Sequence, residues 1–224
     1  MPGPTEIQQA RRDQGPTTGR GAQRREQLLT AARVVFERLG FVEARVADIV
    51  KEAHVSHGTF YTYFDTKEAI FKEVSRGVIE EMLTSMAILI PSEDFHTRVR
   101  DSVRRFVEAY RPHATMLALM EQVGTVSPEL RELRLDARET FVKRSERGIK
   151  RMIAAGVADP DLDVEYTAES LGAMLEYICY VWFSLNRPFE EERLVDALAS
   201  IWEKSLMPRA DAVAPNSRTD SPGE

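Results

Sequence analysis

The chain has 224 residues, enough for one large domain or for a small domain joined to a larger one. Hydrophobic residues make up 43% and charged residues 29%, ordinary globular usage that excludes a wholly disordered chain. A net charge of −6 excludes a uniformly basic surface, a single cysteine (Cys179) excludes an internal disulfide framework and a Cys-based zinc site, and the most apolar run, 171–185, is too short to span a membrane.

Charge is unevenly spread. Residues 1–75 carry 11 Lys and Arg against 10 Asp and Glu, so the acidity lies in the remainder. Five arginines (Arg11, Arg12, Arg20, Arg24, Arg25) fall in the first 25 residues against Glu6 and Asp13. A basic end on an acidic body permits contact with nucleic acid through one face. These residues lack an apolar core, so they do not read as a secretory signal, and a reducing cytoplasm is the expected location.

In chain order, residues 1–20 mix Pro, Gly, Gln and Thr without apolar period and predict a disordered arm; residues 208–224 predict a second such tail. Between them the pattern is all-α, with no sustained alternation and no Asn-Gly or Asp-Gly hairpin turn. A first helix is expected over 23–39, with Leu28, Ala32, Val35, Phe36 and Leu39 on one face and Gly40 as a left-handed cap. A short helix over 46–53 turns Val46, Ile49, Val50 and Ala53 inward. After His54-Val55, Ser56 caps a third helix, 57–64. Asp65 with Glu68 resembles a capping box opening a fourth helix that carries Ile70, Phe71, Val74 and Val78 inward towards Leu89 and stops at Pro91.

Longer helices follow. Val99, Val103, Phe106, Val107 and Tyr110 mark one, and 113–123 another. Ser127-Pro128-Glu129 reads as N-cap, proline at the first helical position and acid in the first turn of a helix reaching about Ala155, ended by Gly156. Asp163 opens a helix to about Leu185 that is apolar nearly all round, and Glu190–Leu206 closes the series with Leu194, Leu198, Ile201 and Trp202 as a stripe.

The three short N-terminal helices predict a helix-turn-helix. Ile49, Val50, Phe60 and Phe64 can pack the second and third helices on the first, leaving His57, Gly58, Thr59, Tyr61, Thr62 and Tyr63 near the outer face. An α-helix fits the major groove, small polar residues allow close approach to base edges, and hydroxyls can bond flanking phosphates.

The run ADIVKEAHVSHGTFYTYFDTKEAIF (47–71) closely resembles the DNA-binding signature of the TetR/AcrR family of bacterial repressors, through Ile49, Ala53, Val55, Ser56, Gly58, Thr59, Tyr61, Phe64, Lys67 and Glu68. With Phe36 and Gly40 of the first helix, the resemblance covers residues 25–72. It implies base contacts from His57 and Gly58, phosphate contacts from Thr59, Tyr63 and Lys67, and either kind from Tyr61. Two positions depart from the family pattern. Arg45 and Val46 stand where a Ser or Thr commonly caps the second helix, so Arg45 is the candidate phosphate ligand there. His54 stands where the turn favours Gly, and histidine tolerates the left-handed region better than most residues.

The resemblance further implies a helix-turn-helix domain at 21–66, a ligand-binding and dimerisation domain at 67–207, a homodimer on pseudo-palindromic operator DNA, and a small-molecule effector that releases a repressor. Its two recognition helices would meet successive major grooves about 34–36 Å apart. The dimer is expected through the last two helices, whose apolar surface exceeds one face. Candidates for an apolar or aromatic effector pocket are Phe106, Tyr110 and Phe141, the methionines Met116, Met120, Met152 and Met174, and Tyr177 and Trp182, with Glu176 as a polar handle. No cofactor or metal is expected: the histidines (His54, His57, His96, His113) have no ligand spacing, and neither a Gly-rich phosphate loop nor a GxSxG elbow occurs. No enzymatic activity is expected. The rival reading is a helical ligand carrier or enzyme whose hairpin makes protein contacts.

Overall fold

The computed structural model describes residues 19–87 and 94–207, and among these every regular element is helical. The expected tail at 208–224 lies outside the described residues, as does the expected arm apart from Gly19 and Arg20, which already belong to the first helix.

Helix α1 (Gly19–Glu43) buries Leu28, Ala31, Ala32, Val35 and Phe36, the stripe its periodicity demands. The break comes at Gly40, at φ 76°, a conformation that costs a residue with a Cβ but not glycine. Leu39, expected inward, is exposed, because beyond this break Phe41 takes the inward place. Helix α2 (Val46–Glu52) buries Ile49 and Val50, and α3 (His57–Tyr63) buries Phe60. The turn between them is held by Val55 N–H donating to the Val50 carbonyl at 3.0 Å and His54 N–H donating to the Lys51 carbonyl at 3.2 Å. These are the reverse-turn bonds that close helices on a left-handed residue, and His54 takes that role at φ 52°.

Helix α4 (Lys67–Met86) is capped by Thr66, whose Oγ1 accepts from Ala69 N–H at 3.0 Å. The expected Asp65 cap is thus corrected by one position. A hydroxyl one residue later reaches the third backbone N–H equally well, and sequence alone does not rank the two. The first half of α4 joins the N-terminal core: the Phe71 ring meets Phe36 edge-on at 5.1 Å and Phe41 at 4.8 Å.

The remaining helices are α5 (Phe95–Tyr110), α6 (Ala114–Val126), α7 (Pro128–Ala154), α8 (Val164–Cys179) and α9 (Glu191–Leu206), with a 3₁₀ turn, Arg111–His113, between α5 and α6. Ser127 and Asp163 cap α7 and α8 through their side chains, as read from sequence. Glu190 does the same for α9. The predicted extension of α8 to Leu185 is present, but as a π-helical turn, Tyr180–Ser184. The widened turn stacks Trp182 on Phe183 at 4.5 Å and brings Phe183 alongside Tyr110.

One apolar cluster runs from α1–α3 through the first half of α4 into α6 and the start of α7. The N-terminal helices therefore share buried surface with the larger helical body. A second cluster joins α5, α8 and α9. Ion pairs lock α5 to α9 at its rim: Arg100 and Arg104 both bond Glu192, whose carboxyl they hold down at about 2, and Arg100 also bonds Asp196 at 2.6 Å.

Candidate nucleic-acid face and effector cavity

Helix α3 is short, so its position depends on its neighbours. Phe60 is fully buried and Phe64 nearly so, which sets one side of α3 into the N-terminal apolar cluster. Ser56 fixes its start, with Oγ accepting from Thr59 N–H at 3.1 Å. The opposite side is left to solvent: Ser56, His57, Gly58, Tyr61 and Thr62 are exposed, and Tyr61 stands half out of the surface at 50%. Thr59 and Tyr63 are partly buried at the flanks. The Thr59 hydroxyl lies 3.0 Å from Ser56 Oγ, and the Thr62 hydroxyl donates to the Gly58 carbonyl at 3.0 Å. The structure thus places five of the residues expected from sequence on the open side of α3, with Thr59 and Tyr63 at its flanks. A Cβ built on Gly58 would meet only Ser56 Oγ, at 3.8 Å. Nothing in the protein itself calls for glycine there.

Arg45 is exposed at the start of α2. The missing Ser or Thr cap is replaced from the other side, because Asp48 accepts from Arg45 N–H at 3.0 Å. The Arg45 guanidinium is then left for other partners. Lys67 is placed differently. Its Nζ donates to the Phe41 carbonyl at 2.6 Å, Ala44 at 2.8 Å and Val42 at 3.3 Å, and lies 4.4 Å from the Phe41 ring centroid. An ammonium with three donors is fully occupied by those carbonyls. Lys67 therefore ties the start of α4 to the chain after Gly40, and the contact expected from it with a phosphate is taken by the protein's own backbone. Carbonyl capping after a glycine break leaves no sequence signal of its own.

In the larger helical body, α4, α5, α6, α7, α8 and α9 line a partly open cavity of about 200 Å³. Six expected residues line it: Phe106, Tyr110, Met120, Phe141, Met152 and Glu176. Four do not. Met116 is fully buried in the N-terminal cluster, Met174 packs between the α5–α8–α9 cluster and a small one around Ile149, Leu171 and Leu206, Trp182 sits on the π-helical turn, and Tyr177 is 64% exposed. Helical phase explains Tyr177. It follows Glu176 by one residue, about a quarter turn round α8, which carries it off the cavity side. Burial holds the Tyr110 hydroxyl protonated well above the ordinary phenol range and pushes the Cys179 thiol up to about 12, so neither is a nucleophile at neutral pH. Glu176 bonds Arg134 at 2.6 Å and Arg138 at 3.1 Å, which places an ion-paired cluster at one end.

The lining that sequence reading missed comes from two sources. Ile79, Met82 and Met86 belong to the far half of α4, and Arg105, Arg134, Arg138 and Arg144 to α5 and α7. The arginines at 134 and 138, with Ala137, Phe141 and Val142, recur at helical spacing, a mixed face in which the basic residues mask the inward stripe.

Helix α4 connects the two features. Its first turns pack in the α1–α3 core through Ile70, Phe71 and Val74, and its last turns line the cavity through Ile79, Met82 and Met86. Among the described residues no group of three metal-ligating side chains occurs, and no helix is long and apolar enough to cross a membrane.

Comparison with known proteins matches both halves. Residues 28–74 match the family described as bacterial regulatory proteins, tetR family, and residues 99–207 match the C-terminal domain of the transcriptional regulator EthR. The HTH-type transcriptional regulator EthR of Mycobacterium tuberculosis is 26% identical over 204 residues, covering 88% of this chain and 94% of its own length. The uncharacterized HTH-type transcriptional regulator YdgC of Bacillus subtilis is 29% identical over 168 residues, covering 71% and 80%. The fold is shared with a TetR-family regulator from Syntrophomonas wolfei at a TM-score of 0.70 and 22% identity, over 82% of this chain and 94% of that one. With both matches resting on the helical fold described above, this chain belongs to the TetR family of bacterial regulatory proteins and is a DNA-binding transcriptional regulator.

Proposed function

We propose that the chain acts in the cytoplasm as a homodimeric repressor, released from its operator by a small molecule held in the cavity, and that it has no catalytic role. The observation that carries this reading is the path of α4, from the core beneath α3 to the wall of the cavity. A ligand that fits the cavity better when α4 is displaced favours a dimer whose two recognition helices stand at the wrong separation. DNA affinity then falls by the coupling energy, typically about 1–3 kcal/mol. Base recognition is assigned to His57 and Gly58, with Tyr61 and Thr62 beside them; Arg45 and Tyr63 reach the flanking phosphates, and Ser56 with Thr59 sets the helix end.

Dimerisation is assigned to α8 and α9. Tyr166, Tyr177, Leu185 and Ile201 are exposed large apolar or aromatic side chains on these two helices and their link, the kind of surface that a second copy covers. Selection of bound duplexes from a random pool tests the reading. An inverted repeat with half-sites about one helical turn apart, bound less tightly as salt rises, is the expected result. Recovery of no sequence, or of a single half-site by a monomer, would refute it.

A further inference from the structure

The two ends of the cavity differ in charge compensation. At one end Arg134 and Arg138 are neutralised by Glu121, Glu169 and Glu176. At the other end stand Arg105 of α5 and Arg144 of α7, and among the described residues neither has a carboxylate partner. Arg105 makes no hydrogen bond there, and its Nη1 is buried without an acceptor. Arg144 donates to the Met86 carbonyl at 2.7 Å. Burial, followed by the charges of Arg105, Arg147 and Arg151, lowers the affinity of Arg144 for its proton. The indole Nε1 of Trp202, also on the cavity wall, is buried without a partner as well.

A guanidinium nitrogen buried without an acceptor is costly, as is a buried indole N–H without one. Both orphaned groups on this wall are donors, and both need an acceptor that the chain does not supply. Next to them the wall is apolar, with Met82, Met86, Phe106 and Phe141. At about 200 Å³ the space has room for one narrow alkyl chain.

We propose that the cavity takes an anionic amphiphile, its oxyanion head bonded by Arg105 and Arg144 and its alkyl body among the methionines and phenylalanines. This rests on the effector reading above and gives it a chemical class. Guanidinium matches carboxylate and phosphate alike, so the head is an oxyanion of either kind. The head is placed at the end of α4, because Arg144 already holds the carbonyl of Met86, the last residue of that helix.

The test uses the full chain and three probes of equal chain length: decanoate, decyl phosphate and decan-1-ol, titrated by calorimetry. At least one anion is expected to bind about tenfold or more tightly than the alcohol, the tighter anion naming the head. Arg105→Met should abolish that advantage and leave alcohol binding unchanged, while Arg105→Lys retains part of it. Arg105→Met also removes a buried donor that lacks an acceptor, so a melting temperature equal to or above that of the parent shows that the variant is folded. Equal binding of alcohol and anions, or an advantage that survives both Arg105→Met and Arg144→Met, would overturn the head-group assignment and leave the effector cavity standing. Binding of none of the probes would overturn both. An anion that binds with Arg105 dependence but leaves the selected operator bound would sustain this site and refute its role in release.

Discussion

Gly58→Ala separates what the protein needs at the tip of α3 from what its DNA needs. The new Cβ has Ser56 Oγ at 3.8 Å as its nearest neighbour, an ordinary contact, and the backbone of Gly58 is not in the left-handed region. Alanine is favoured over glycine in a helix by about 0.5–1 kcal/mol, through the entropy of the unfolded chain. The isolated protein should therefore melt about 1–4 °C higher, at roughly 2–4 °C per kcal/mol for a chain of this size. The DNA complex should respond in the opposite sense. If Gly58 lies against base edges, a methyl group inserted there costs about 1–3 kcal/mol per half-site, as overpacking does in a close-packed interior. Each protomer of a dimer brings one such methyl. Fluorescence anisotropy with a selected operator duplex at fixed salt, beside scanning calorimetry, measures both. A rise in melting temperature with at least a tenfold loss of affinity is expected. Unchanged affinity would refute close approach at this point, and a fall in melting temperature would refute the claim that the protein itself tolerates a side chain here.

Other consequences concern the scaffold. Lys67→Met should destabilise the fold by about 2 kcal/mol, read by chemical denaturation, since it strands the part-buried carbonyls of Phe41 and Ala44. The salt dependence of operator binding should hold its slope if this ammonium stays on those carbonyls in the complex. His54→Gly should stabilise by about 1 kcal/mol in the same assay, relieving a side chain at φ 52°. His113 is buried between Arg33, at 2.9 Å from Nδ1, and Glu81. Burial first, and Arg33 second, lower its affinity for a proton. The unfolded chain then binds more protons than the folded one between the two values. Stability is complete above the ordinary histidine range and declines as pH falls through it towards the folded value. His113→Asn should flatten that acid limb relative to the parent. His96, raised by Glu203, slopes the other way but is common to both proteins and cancels in the difference.

The helices were legible where period and caps agree. Leu28 to Phe36, Ser56, Ser127 and Asp163 each carried a local signal that packing then followed. The outer face of α3 was legible for the same reason, since Phe60 and Phe64 fix the phase and the polar residues take the rest. Lys67 and the Arg105–Arg144 end of the cavity were not. Lys67 is positioned by carbonyls, which every residue has and which therefore leave no mark in sequence. The arginines of α5 and α7 lie on faces that in sequence look solvated, and only the assembled helices turn them inward. Tyr177 shows the reverse error. An aromatic residue on an apolar helix suggested a pocket, yet its phase puts it on the outside of the single chain. The π-helical turn at Tyr180–Ser184 similarly follows from packing around Tyr110 and Trp182, not from any residue type that specifies it.

The central claim is that the rim Ser56–Tyr63 is what meets the double helix. A crystal structure of the protein with its selected operator tests this most directly. It should place α3 of each protomer in successive major grooves, with His57 and Gly58 against base edges, Tyr63 and Arg45 on phosphates, and Lys67 still on the carbonyls after Gly40. An operator gripped by any other surface, with α3 facing solvent, would contradict it.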